Sequence, residues 1–328
     1  MARGRRQQPT EPKPFFWISL QEKPKPQKKN PPSHDRFHGW SGRIELEIEV
    51  RSEYLYVGSG NFDLFPLEGK DQARYTFARR NGQPVIPGTG IKGAVRSVVE
   101  AISNSCVPLT ARRERGPRSH RPCNDVIRLC PACRLFGTTG YRGRVHFSDA
   151  VPVDHIETTT IKIADLWPPK RFRGRKFYQT KDFQSHADMR PQKNYRFLEV
   201  VPKGARFRTT LFFENATTAE MGLLMRALGF ALHKQKKGRV VYAFPLKIGG
   251  AKPRCLGSVR LHPQEIRILS LTDEDLFSSL LTGGHAKDVV AQLLEWLSDQ
   301  SLLDQSAWAE FREKAKPQTD APCPKEVY

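Results

Sequence analysis

No stretch of this 328-residue chain approaches the ~20 consecutive apolar residues that a membrane-spanning helix needs. The Met-Ala-Arg-Gly-Arg-Arg start carries no apolar signal region, so a cytoplasmic protein without a membrane partner is expected. Cysteine is too sparse for a disulfide framework: there are six, and three of them fall between Cys123 and Cys133, which suits a metal site in a reducing compartment. No Ser/His/Asp or Cys/His catalytic pattern is legible. The spacing GxxxxGK[ST] is absent, which excludes the usual nucleotide-triphosphate loop. Acidic residues are also short, with 34 Asp and Glu against 54 Lys and Arg.

That deficit leaves a net charge of +20 and a pI near 9.9, in the range of nucleic-acid-binding domains. The excess is concentrated. Residues 170 to 181, KRFRGRKFYQTK, hold six basic residues and no acidic one, interleaved with Phe172, Phe177 and Tyr178. Such a segment offers phosphate contacts and stacking surfaces together. ARRERGPRSHR, 111 to 121, adds five arginines.

Residues 1 to 40 are rich in Pro, Lys and Gln and cannot bury enough apolar surface to fold alone, so they read as an extended arm. Within them PFFWISL is apolar enough to dock, on this chain or on a neighbour. GRIELEIEV, 42 to 50, alternates as a half-buried strand. The segment 57 to 84 reads as a long glycine-containing loop, with Asp63, Glu68 and Asp71 as its acids. PVIPGTGIKGAVRSVVEAI, 84 to 102, begins a helix with a helical stripe of Ile91, Val95, Val98 or Val99, and Ile102. Its first turn holds Lys92 and no acid, although a helix N-terminus favours negative charge. Backbone N–H groups and Lys92 there, with Arg96 one turn on, could hold a phosphodiester.

GRVHFSDA and ARFRTTLFFEN read as strands, and 218 to 234 as a second amphipathic helix. The order strand, helix, strand, strand, helix, strand is ferredoxin-like, an α+β fold. KIGGAKPRCLGSVRL, 247 to 261, is a second basic glycine loop with Lys247, Lys252 and Arg254. From Thr272 the chain turns helical and nearly free of basic runs, built to pack on protein. In HRPCNDVIRLCPAC, His120, Cys123, Cys130 and Cys133 make a closed tetrahedral set for structural zinc, with His120 the weakest ligand and Cys106 or His146 able to replace it. Cys255 and Cys323 are too isolated to read.

PVIPGTGIKGAVRSVVEAI, CPACRLFGTTGYRGRVHFSDA, EVVPKGARFRTTLFFEN and GGAKPRCLGSVRL, in that order across about residues 40 to 261, resemble the RAMP superfamily, and among it the backbone subunits of type III CRISPR effector complexes. The arm with HDRFHGWSGRIELEIEV is similar to the start of type III-D members. The resemblance implies a modified RNA-recognition-motif core at 41 to 271, a zinc-knuckle insertion at 105 to 140 and a thumb-like hairpin at 151 to 201. The arm would precede this core and a helical extension, 272 to 328, follow it. It implies CRISPR RNA as guide, complementary target RNA and the other subunits of the complex as partners.

The RNA contacts it implies fall on Gly88, Lys92 and Arg96 in the opening turn, and on Arg142. Arg171, Arg173, Arg175, Lys176 and Tyr178 in the basic run join them, as do Lys247, Lys252 and Arg254 in the second loop. Many such subunits cut target RNA with a loop aspartate and a divalent metal, Mg or Mn. Here the usual Gly-Gly-Ile-Asp context is missing, with Asp71 the nearest candidate and Asp63 the runner-up. A CRISPR RNA-processing endonuclease, using His34, His38 or His155, and a general RNA-binding protein are the alternatives.

Overall fold

The computed structural model describes residues 13–19, 25–67, 70–107, 120–165, 174–270, 273–318 and 320–326. Along the chain run β1 (Phe15–Ile18), β2 (Trp40–Val50), β3 (Gly58–Leu67), β4 (Lys70–Phe77), α1 (Gly88–Ile102), α2 (Pro131–Phe136) and β5 (Val145–Phe147). They are followed by β6 (Thr159–Ala164), β7 (Arg175–Tyr178), β8 (Tyr195–Pro202), β9 (Arg206–Ala216), α3 (Thr218–Ala227), β10 (Ser258–Ile268), α4 (Asp273–Thr282), α5 (Val289–Ser298) and α6 (Gln305–Ala315).

Alternation in β2 sends Ile44, Leu46, Ile48 and Val50 into the core, none more than 1% exposed. The intervening Glu45, Glu47 and Glu49 face outward. β2 sits between β9 and β10, both antiparallel to it, and β5 pairs with β9. The resulting order β10–β2–β9–β5 is that of a ferredoxin-like unit, as its strand and helix sequence predicts. α1 and α3 cover the inner face, with Ile91, Val95, Val98, Val99 and Ile102 of α1 buried. α3 starts on a capping box, the Thr217 hydroxyl accepting from the Glu220 N–H (3.2 Å) and the Glu220 carboxylate from the Thr217 N–H (3.1 Å). It ends earlier than its apolar pattern suggests, because Gly229 at φ +101° turns the chain into a short strand, Phe230–Leu232.

The segment expected as a loop, 57 to 84, is instead mainly the β3–β4 hairpin. The hairpin is the outer half of a second sheet ordered β6–β8–β4–β3, in which β4 and β8 run parallel. Residues from the first loop and from 151 to 201 therefore share one sheet. Ile161, Ile163, Leu198 and Val200 form its small core, and Leu256 of the second glycine loop completes it.

The arm docks on its own chain: β1 pairs with β7, and Phe16 packs on Phe177 (centroids 5.7 Å apart) and Phe311 (5.8 Å). The C-terminal helices also use their apolar faces internally. α5 packs on α3 and places the fully buried Trp296 edge-on against Trp40 and Phe213, while α6 packs on α1 and β1. Cys255 and Cys323, unreadable in sequence, form a disulfide (S–S 2.04 Å) that ties the last described segment to the second glycine loop.

Candidate nucleic-acid interface and metal centre

The four sulfurs of Cys106, Cys123, Cys130 and Cys133 are buried and lie within 4.8 Å of one another. Cys106 leaves the end of α1, Cys130 caps α2, and Cys133 sits one turn along it. Two sulfur–sulfur separations, Cys106–Cys133 at 3.5 Å and Cys106–Cys130 at 3.6 Å, come near the ~3.8 Å edge of a tetrahedron with ~2.3 Å zinc–sulfur bonds. Backbone N–H groups of Cys106 and Cys130 point at the sulfurs of Cys130 and Cys123 (3.5 and 3.4 Å), the interaction a thiolate requires. The Cys123 thiol, accepting from Cys106, is pulled down to about 7.

These observations fit a closed structural metal site, and they correct its fourth ligand. His120 is buried next to the cluster but is not one of the converging residues; its carbonyl accepts from the Val107 N–H. Of the two replacements the sequence offers, the structure takes Cys106, which the segment after α1 brings to the other three. Arg96 reaches the Cys133 sulfur with one nitrogen (3.6 Å) while holding Glu100 with another (2.8 Å). When bound, a metal there would cross-link α1, α2 and the 120–130 segment.

The glycine turn that opens α1 is built differently from its sequence reading. Gly88 is glycine because a Cβ would strike the Phe147 carbonyl. Its N–H donates to the Asp149 carboxylate (2.9 Å), which Arg80 also holds (3.2 Å). The acid missing from the first turn thus arrives from the connection that follows β5, and the N-terminus already has its anion. Gly90 and Gly93, in contrast, have open space where a side chain would be, and with exposed Thr89 and Ser97 they make one side of α1 smooth. Lys92 is half-buried beside them; burial and the neighbouring Arg96 hold its amine below the ordinary lysine range.

Among the described candidate RNA contacts, the arginines are held by carboxylates or carbonyls, whereas the lysines have no carboxylate partner. Arg175 is 8% exposed, ion-paired with buried Glu100, and donates to the Cys106 carbonyl (2.6 Å). Arg254 is 2% exposed and spends its donors on the carbonyls of Ala164, Asp165 and Pro324. Both are held inside the fold, because a guanidinium can bridge several carbonyls or a carboxylate at once. Arg142 is exposed but paired with Glu214 (2.8 Å). Arg171 and Arg173 lie outside the described residues. Lys92, Lys176, Lys247 and Lys252 have no carboxylate partner among the described residues, and the last three line one cleft with Tyr178 and Ser97. The Lys176 amine sits 4.0 Å from the Phe15 ring centre and 5.1 Å from that of Tyr178. Phe177 is turned inward against Phe311 and offers no stacking face.

The opposite, open face of the principal sheet carries the Glu45, Glu47 and Glu49 row, partnered by Arg43, Arg206, Arg51 and His262. Arg208, Arg260 and Arg267 stand on the same side, so that face balances its acids with bases. Asp63 and Asp71 stand on strands rather than in a loop. Asp63 pairs with Arg74 through both oxygens (3.0 and 2.6 Å), which holds its carboxyl below the usual range. Asp71 is exposed on the other face of the hairpin, opposite Pro66. The two carboxylates do not converge. The four cysteines are the one group of three or more His, Cys, Asp or Glu side chains gathered among the described residues.

The structure thus joins a ferredoxin-like sheet to a smooth helix side with lysines near it. The RAMP superfamily model matches residues 47–260. The chain belongs to the RAMP superfamily. No curated relative matches it. Within this RAMP protein, the matched segment runs from inside β2 into the start of β10, so β1 and the helices α4 to α6 lie outside it. Among the described residues no helix is long and apolar enough to cross a membrane.

Proposed function

We propose that this RAMP protein is a CRISPR RNA-binding backbone subunit of a type III effector complex, holding the guide along the smooth side of α1 and positioning complementary target RNA. The observation that carries the reading is the separation of charges. Among the described residues Lys92, Lys176, Lys247 and Lys252 lack acidic partners, while Arg96, Arg142, Arg175 and Arg254 are held by carboxylates or carbonyls. Lysines reading phosphates, with sequence supplied by base pairing, suit a subunit that follows a guide of any sequence. The segment 151 to 201, which supplies β6, β7 and most of β8, is read as the thumb-like element. Exposed Phe62 and Leu64 on β3, and Phe277 and Leu281 on α4, suit a chain that works inside an assembly. Four thiolates would hold a structural zinc.

Support for a scaffold exceeds support for cleavage, since Asp63 is neutralised by Arg74 and Asp71 stands alone. Reconstitution with guide RNA, target RNA and Mg²⁺ tests both parts. A discrete guide should copurify, and Asp71→Ala and Asp63→Ala should leave the cleavage pattern unchanged. Loss of particular cuts in one variant with binding intact would make the subunit a nuclease and identify its carboxylate. Heterogeneous bound RNA would reduce the protein to a general RNA binder. For single-stranded RNA, Lys92→Ala should reduce the salt dependence of binding by about 0.7 in log–log slope, the value for one phosphate.

A further inference from the structure

Three lysines from separate parts of the chain line one cleft: Lys176 of β7, Lys247 of the short strand Leu246–Lys247, and Lys252 of the second glycine loop. The cleft has a volume of about 110 Å³, and none of the residues lining it is acidic. Part of its wall comes from the two far ends of the sequence, Phe16 of β1 and Phe311 and Ala315 of α6, all outside the segment shared with the family. Apolar walls keep the local dielectric low, so like charges repel more strongly there than at an open surface. Burial holds Lys247 and Lys252 below the ordinary lysine range, and the Lys252 charge adds to the effect on Lys247. The carbonyls of Cys255 and Leu256 take donors from the Lys247 amine (3.1 and 3.3 Å), which as an ammonium has three. The site lacks a negative charge.

We propose that this cleft seats a single RNA phosphate shared by Lys247 and Lys252, in a pocket that the N-terminal arm and the last helix complete. The inference rests on the RNA-binding reading above. It adds where one phosphate sits and gives the two extensions a part in holding it. A phosphate brought between the two amines removes their mutual repulsion and restores full protonation to both. Lys176 and Ser97 bound the same cleft and fix how the strand passes from α1 into it.

The test is the salt dependence of single-stranded RNA binding by the full chain, measured over about 50 to 200 mM salt. Lys247→Met and Lys252→Gln should each lower the log–log slope by about 0.7, the value for one phosphate, and the double variant should lower it no further. Ser97→Phe, which plugs the cleft from an exposed helix position without removing a charge, should give the same loss. A double variant that loses about 1.4 would assign the lysines to two separate phosphates and overturn the shared seat. Slopes equal to native in the lysine variants and in Ser97→Phe would show that no phosphate enters the cleft. Lys92 is not among the cleft residues, so a loss in Lys92→Ala alone leaves the RNA-binding reading standing while the pocket falls. Binding by the native chain that does not respond to salt would remove both.

Discussion

Glu100 offers the sharpest test of how the fold consumes its arginines. It is 2% exposed, and its carboxylate is shared by Arg175, 8% exposed, and Arg96, 30% exposed. Glu100→Gln keeps the shape and removes the charge, leaving the Arg175 guanidinium buried beside Arg96 with only the Cys106 carbonyl and a neutral amide. Breaking a buried pair in this way costs about 3–5 kcal/mol. Arg96 can turn partly to solvent, so the lower half of that range is expected. Against a typical total of about 5–15 kcal/mol the loss is large, and at about 2–4 °C per kcal/mol it should lower the melting temperature by roughly 10 °C. Urea unfolding followed by the fluorescence of buried Trp296, at fixed zinc concentration, reads it directly. The double variant Glu100→Gln with Arg175→Gln should cost little more than either single change, because the residues act as one unit. A loss below about 1 kcal/mol for Glu100→Gln, or additive losses in the double variant, would refute the reasoning and return Arg175 to the pool of groups free to meet RNA.

The metal site separates its two candidate fourth ligands. The native chain should carry one zinc by elemental analysis; Cys106→Ser should weaken zinc by at least about a hundredfold, more than losing an outer partner does, while His120→Ala keeps it. Zinc retained by Cys106→Ser and lost by His120→Ala would reverse the assignment. Stability should also depend on Lys247, whose amine burial pushes down to about 7 from its ordinary 10.5. Between those values the unfolded chain binds a proton that the folded chain does not, so the Lys247 contribution makes stability rise with pH through that window. In Lys247→Met the rise should flatten, and the variant should exceed the native chain in stability at and below pH 7. Identical pH slopes for the two proteins in calorimetry would show that Lys247 stays charged in the fold.

The ferredoxin-like order was legible because each of its elements carries its own signal, alternation in β2 and a helical stripe in α1. The second sheet was not, since β3 exposes Phe62 and Leu64 and β4 pairs in parallel with β8, more than 120 residues later, a long-range pairing that local pattern does not report. The cysteine cluster was readable except for the choice of its fourth member. Clustered Cys123, Cys130 and Cys133 announce it, while His120, Cys106 and His146 stayed alternatives that only the folded chain separates. The helix start shows the same limit: the missing acid was visible, yet its replacement, Asp149, comes from the connection after β5, brought close by the sheet. Basic composition is legible in sequence only as a total. Which cations are spent inside depends on where buried Glu100 and loop carbonyls lie.

The contact of Phe16 with Phe177 and Phe311 has a consequence for synthesis on the ribosome. The arm emerges first, and one of its two aromatic partners lies in the last helix, about 300 residues later. At about 5–20 residues per second, β1 waits on the order of 15–60 s before its seat is complete. During that interval FFWI is an exposed apolar segment on a nascent chain, and its burial is complete only when Phe311 reaches Phe16.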